Sequence, residues 1–157
     1  MKDLQAKVYA DSVERGLWGD GVERPIYEVR NLINAEISEA VEAHKHNLGK
    51  DKILTEYDNF HVELADVCIL CFNFIGDKGL YFGDCSYRTF ESREEMLDSS
   101  HRCASYITSK TPILAEIIIG NIVSLCRKEN VDIKQIIHAK HAYNGIREDH
   151  KGQRKND

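Results

Sequence analysis

The 157-residue chain has only two prolines, one tryptophan, and a single CxxC with no second one to pair with it. With prolines only at positions 25 and 112, and no long strand-like alternation, the chain tilts toward helix. It also lacks a basic excess. Its 21 Lys and Arg against 26 Asp and Glu leave a formal charge of −5, the opposite of the concentrated positive surface that nucleic acid requires. No nucleic-acid partner is expected, although one or two local cations would suffice for a small anion. No run reads as long and apolar enough to span a bilayer, and the opening MKDLQAKVYADS carries no signal-peptide core. A cytoplasmic protein with no membrane partner is therefore expected. The five cysteines are odd in number. Cys68 and Cys71, within VCILCFNF, fall on the interior of an apolar helix and read as small buried hydrophobes rather than a zinc or redox pair. A reducing compartment fits them.

The chain is 42% apolar and 30% charged, the balance of one compact domain able to bury a core. Glycines 16, 19 and 21 end a first helix over 3–16. Pro25 opens a second that runs to about His46 and closes at Asn47 and Gly49. A third covers roughly 54–79. Thr111-Pro112 leads a fourth to about 129, and Asp132 with Gln135 resembles a capping box for a last helix through Arg147. Residues 80–110 read as a longer connection or insertion with room for a short helix around 91–107, and 151–157 as a polar tail. The expectation is a single all-α domain, a bundle of about five main helices. The third helix is apolar almost all round, which a monomer of this size would struggle to cover, so the bundle is expected to be completed by dimerisation.

Acidic residues stand where apolar ones belong. At 100° per residue, Val29, Arg30, Ile33, Ile37 and Ala40 form the core stripe of the second helix. Glu36 lands between Val29 and Leu32, inside the apolar arc, and Glu39 at its edge. In the third helix Leu64, Val67, Leu70, Cys71 and Phe74 mark the core. Glu63 falls among them, and Asp66 lies between Leu70 and Asn73. One ExxE pair on a helix is ordinarily a solvated face or a salt bridge. Two pairs on consecutive helices, both inside apolar arcs, are costly unless a cation joins them. Oxygen-only ligand sets suit Mg²⁺, with Mn²⁺ as a substitute. A di-iron bundle would use Glu-x-x-His, and no Glu here is followed by His at that spacing.

The last helix carries the complementary charge. Lys140, Asn144 and Arg147 continue the stripe begun by Ile133, Ile136 and Ile137, with Tyr143 beside them. Such an inward cationic face suits phosphate oxygens, although a helix end leaving the core places the same residues there. Trp18, in GLWGDG, is a candidate for base stacking or for core packing. His44, His46 and His61 match no ligand spacing and read as structural. Glu116, within ILAEIIIG, either pairs with a basic residue of the site or reaches water.

The runs EISEAVEA, ELADVCIL and KHAYNGIREDHKG together resemble the MazG-like branch of the all-α nucleoside triphosphate pyrophosphohydrolases, over roughly 25–80 and 112–152. The ExxE and ExxD of that signature map to Glu36, Glu39, Glu63 and Asp66. The closing K-x-x-YN-x-x-R maps to Lys140, Tyr143, Asn144 and Arg147. The 80–110 segment departs from the pattern by its length, and the tail by lacking the proline and double glycine of the closing motif. The resemblance implies magnesium-dependent hydrolysis of (deoxy)nucleoside triphosphates to monophosphate and pyrophosphate, by a homodimer or homotetramer. It implies Glu36, Glu39, Glu63 and Asp66 as metal ligands, Glu39 and Glu63 as catalytic, and Lys140, Tyr143, Asn144 and Arg147 around the substrate, to which the loop position of Trp18 adds that residue as a substrate-binding candidate. Two alternatives stay open: hydrolysis of phosphoribosyl-ATP on the same fold, and a non-catalytic helical protein that binds a nucleotide or a partner.

Overall fold

The computed structural model describes residues 1–19, 21–83 and 88–146, and these form an all-α bundle. The helices are α1 (Lys2–Glu14), α2 (Ile26–Lys45), α3 (Asn59–Asp77), α4 (Arg93–Ser105), α5 (Ile113–Lys128) and α6 (Ile133–Ile146). Four of them end alike. Gly16, Asn47, Gly79 and Asn130 each take a positive φ. At each, the next amide bonds back to the carbonyl five residues earlier, as Leu48 N does to Ala43 O and Val131 N to Cys126 O. This left-handed close satisfies carbonyls that the helix leaves unpaired, and it suits Gly and Asn.

The short helix expected around 91–107 is α4, and with it the described residues form six helices. Ser92 caps it by accepting from Glu95 N at 3.2 Å, and Glu95 reaches back to Glu91 N at 2.9 Å. α5 begins differently from the expected threonine cap. The Thr111 hydroxyl turns back to Thr108, accepting from its amide at 2.8 Å, and the helix starts directly behind Pro112. α3 starts about five residues later than its hydropathy suggests, because 49–58 folds into a tight loop. There Asp51 Oδ1 accepts from Ile53 N at 2.8 Å and Leu54 N at 2.6 Å, and Asn59 N donates to Gly49 O.

α3 is the hub, with α1, α2, α5 and α6 packed round it and α4 packed on α2 and α5. Contrary to the sequence expectation, α3 is long and apolar enough to cross a membrane by length and composition, but most of it is buried in protein, as for a core helix. One chain covers it, including Val62, Val67, Cys68, Cys71, Phe72 and Phe74. Its apolar girth therefore calls for no second copy. Gly76 makes this close packing possible where the Tyr9 ring lies on α3, since a Cβ there would sit 2.4 Å from Tyr9 Cγ. The buried faces of α2 (Val29, Ile33, Ile37, Ala40) and α6 (Ile133, Ile136, Ile137) are those the periodicity assigns.

Candidate metal centre

Because α2 and α3 pack side by side, the misplaced carboxylates of each helix meet. Ligand oxygens of Glu36, Glu39 and Glu63 all lie within 4.8 Å of one another. Glu36 and Glu63 are half-buried and Glu39 is exposed. Asp66, one turn beyond Glu63, borders the same pocket but is turned toward α6. Lys140 Nζ stands 2.8 Å from its Oδ2, and Asn144 Nδ2 donates to its Oδ1 at 3.3 Å. The expected quartet is thus a triad with a fourth carboxylate held beside it by the last helix.

The electrostatics show where positive charge is short. Burial, then the carboxylates of Asp66, Glu39 and Glu63, push the Glu36 carboxyl up to about 8. Burial and then Asp66 push Glu63 up to about 7, against the pull of Lys140. Burial alone would lower Lys140, but the Asp66 carboxylate and its hydrogen bond outweigh it and hold the ammonium above its usual value. The half-buried Lys140 and the exposed Lys52 border a pocket with five carboxylates, Glu36, Glu39, Asp51, Glu63 and Asp66, too little positive charge to let all of them ionise together. An oxygen-only set with surplus negative charge fits a hard divalent cation of the magnesium or manganese type.

The mouth of this pocket is lined by Glu36, Glu39, Asp51, Glu63 and Asp66 and by two lysines, Lys52 and Lys140. Asp51 is buried, and the loop before α3 aims it here; sequence reading missed it because nothing in GKDKIL is periodic. Deeper, a cavity of about 490 Å³ shares Glu36 and Asp66 with the mouth and continues past Asn144, Asn73, His141 and Trp18. Trp18 is 5% exposed, and the Arg24 guanidinium lies 4.9 Å from its ring centroid. It is a wall of the cavity with one face already covered. Tyr143 lines neither space, and Arg147 lies outside the described residues. Asn73 and His141 were legible: Asn73 stands on the Asp66 face of α3, and His141 follows Ile137 by one turn.

The remaining acidic and histidine candidates are structural. His61 is buried and 2.7 Å from Glu129 Oε2. Glu129 also takes a two-pronged contact from Arg93 at 2.7 and 2.9 Å, tying α3, α4 and α5 together. His44 bonds Glu94, and His46 pairs with Glu42 on its own helix. Glu116 accepts from Gly83 N at 3.4 Å, away from the cluster. Cys68 and Cys71 are fully buried free thiols, pushed up chiefly by burial, as suits hydrophobic packing. A larger cavity of about 680 Å³, walled by Lys2, Tyr81, Arg127 and Lys134, shares no residue with the carboxylates. No family model, curated protein or solved structure matches the chain.

Proposed function

We propose that the protein is a metal-dependent nucleoside triphosphate pyrophosphohydrolase, converting (deoxy)nucleoside triphosphates to monophosphate and pyrophosphate. The observation that carries this reading is the meeting of Glu36, Glu39 and Glu63 within 4.8 Å on two packed helices. A lysine and an asparagine from a third helix stand at their edge. The MazG-like resemblance of the same residues points the same way.

In this reading Glu36, Glu39, Glu63 and Asp66 hold Mg²⁺, or Mn²⁺ in its place. Such an ion, when bound, neutralises phosphate charge and acidifies water. Glu39, the exposed member of the triad, accepts the proton of the attacking water. Lys140, already drawn to the pocket by Asp66, offsets charge on the phosphates as a point cation, and Asn144 orients them through its amide. Assembly as a homodimer or homotetramer and a cytoplasmic location belong to the same proposal. For assembly, the resemblance is the sole support once α3 is covered within one chain.

The test is purified protein with Mg²⁺, then Mn²⁺, against a panel of ribo- and deoxyribonucleoside triphosphates, with all products quantified. Monophosphate and pyrophosphate in equal amounts are expected. Orthophosphate as the product would overturn the reaction class, and an inert panel with both ions would overturn the enzyme reading.

A further inference from the structure

The mouth and the deeper cavity lie in opposite directions from the carboxylates. Early residues of α2 and late residues of α3 wall the cavity, Glu28 and Leu32 from one and Leu70 and Asn73 from the other. The mouth is built at the other end of the same helix pair, from Glu39 and the loop after α2 and from Asn59 and Glu63 at the start of α3. Among the described residues only Glu36 and Asp66 border both spaces. At about 1.5 Å of rise per residue, Asn59 and Asn73 stand about 21 Å apart along α3, with the carboxylates between them.

The two ends differ in what they offer an anion. In the cavity Leu17, Trp18, Leu32 and Ile69 supply apolar wall, and the arginines are engaged. Arg24 donates to Leu17 O and pairs with Glu28, and Arg15 donates through Nε to Asp11 O. At the mouth Lys140 is held by Asp66 at 2.8 Å, whereas Lys52 is exposed and forms no ion pair among the described residues. Its neighbour Lys50 is spent within the loop, on Asp58 at 3.4 Å and on Glu56 O at 3.0 Å. The backbone that carries Lys52 is fixed from both sides. Asp51 N donates to Tyr57 O at 2.9 Å, and Asp51 Oδ1 accepts from Ile53 N at 2.8 Å.

We infer that Lys52 binds the terminal phosphates of the substrate and the pyrophosphate they become, so that the nucleotide lies along the α2–α3 pair with its nucleoside toward the Trp18 cavity. The inference rests on the proposed function, which puts the metal and the phosphates at the carboxylates. A triphosphate has two directions to take from there. Among the described residues, the mouth alone holds a lysine with no ion-pair partner, and the cavity alone offers a wall of apolar side chains. A compact ammonium on a flexible stem follows a phosphate chain without demanding one fixed geometry. Cleavage between the α- and β-phosphates then parts the products along this axis, pyrophosphate at the open mouth and monophosphate toward the cavity.

The probes are inorganic pyrophosphate and the four ribonucleoside monophosphates, each titrated calorimetrically in excess Mg²⁺. Lys52→Gln should weaken pyrophosphate about tenfold, the loss of one charge-assisted contact, and leave the monophosphates within about twofold of wild type. Lys52→Arg keeps the charge and should keep most of the pyrophosphate affinity. Unchanged pyrophosphate affinity in Lys52→Gln, an equal loss for both kinds of probe, or wild type that binds no pyrophosphate at millimolar concentration would overturn the inference. Circular dichroism should stay helical in both variants, since Lys52 is exposed. Turnover is scored separately. Pyrophosphate binding that depends on Lys52, without hydrolysis of any triphosphate, would strike the hydrolase reading alone. Hydrolysis by a protein whose pyrophosphate affinity ignores Lys52 would strike this inference alone.

Discussion

Replacing Glu36 with Gln should make the metal-free protein more stable and at the same time remove its response to metal. Glu36 keeps its proton up to about pH 8 in the folded chain, against 4.5 for a free glutamate. Between those values the unfolded chain releases a proton that the folded chain retains, so rising pH favours unfolding. At 1.36 kcal/mol per pH unit, the 2.5 units from 4.5 to 7 amount to about 3.4 kcal/mol. Solvent screening of a half-buried group trims this to about 2 kcal/mol. A neutral amide of the same shape escapes that cost. With 2–4 °C per kcal/mol for a chain of this size, Glu36→Gln should raise the melting temperature by about 4–8 °C at pH 7 in chelator. At pH 4, where both states hold the proton, the difference should vanish. Wild type should then gain on adding Mg²⁺, about 2.7 kcal/mol at a hundred times the dissociation constant, and the variant should gain little. The assay is a pair of thermal melts, with chelator and with Mg²⁺, across pH 4–9. A Glu36→Gln protein that melts lower than wild type at pH 7 in chelator would refute the reasoning, because the carboxylate would then be contributing stability without a cation.

Glu63→Gln should cut turnover at least about 100-fold with the helical signal unchanged, and full activity in that variant would remove Glu63 from the site. Divalent-ion binding at pH 6.5 should expel about two protons, from Glu36 near 8 and Glu63 near 7. Calorimetry in buffers of different ionisation enthalpy measures this number, which should fall toward zero above pH 9. Lys140→Met strips Asp66 of a counter-charge at 2.8 Å and should cost about 1–3 kcal/mol in chelator, measured by urea unfolding, with part recovered in Mg²⁺. Gly76→Ala, far from the site, forces a methyl against the Tyr9 ring and should cost about 1–3 kcal/mol of stability, read by the same unfolding curves.

What the sequence made legible follows its periodic signals. Helices α2, α3, α5 and α6, their buried faces, and the placement of Glu36 and Glu63 on core arcs all follow from 3.6-residue spacing and come through in the fold. α4 is half polar and its periodicity is weak. Its real signal was the Ser92-x-x-Glu95 cap, which hydropathy does not register. The start of α3 was misplaced because Ile53 and Leu54 continue an apolar trend, while Asp51 bends the backbone there through its side-chain bonds. Long-range partners were beyond reach. The capture of Asp66 by Lys140 and Asn144, and the His141–Asp11 contact between α6 and α1, depend on which helices pack, not on spacing within one. The covering of α3 by its own chain was out of reach for the same reason. An all-apolar helix marks burial without saying whose side chains provide it.

The central claim is that the α2–α3 carboxylates bind a divalent cation, and paramagnetic Mn²⁺ tests it most directly. In amide-resolved NMR of the protein, substoichiometric Mn²⁺ should broaden first the signals of 35–40 and 62–67, with 140 and 51 close behind. Glu36→Gln and Glu63→Gln should abolish that pattern. Broadening that begins elsewhere, or is spread evenly over the acidic surface, would contradict the claim.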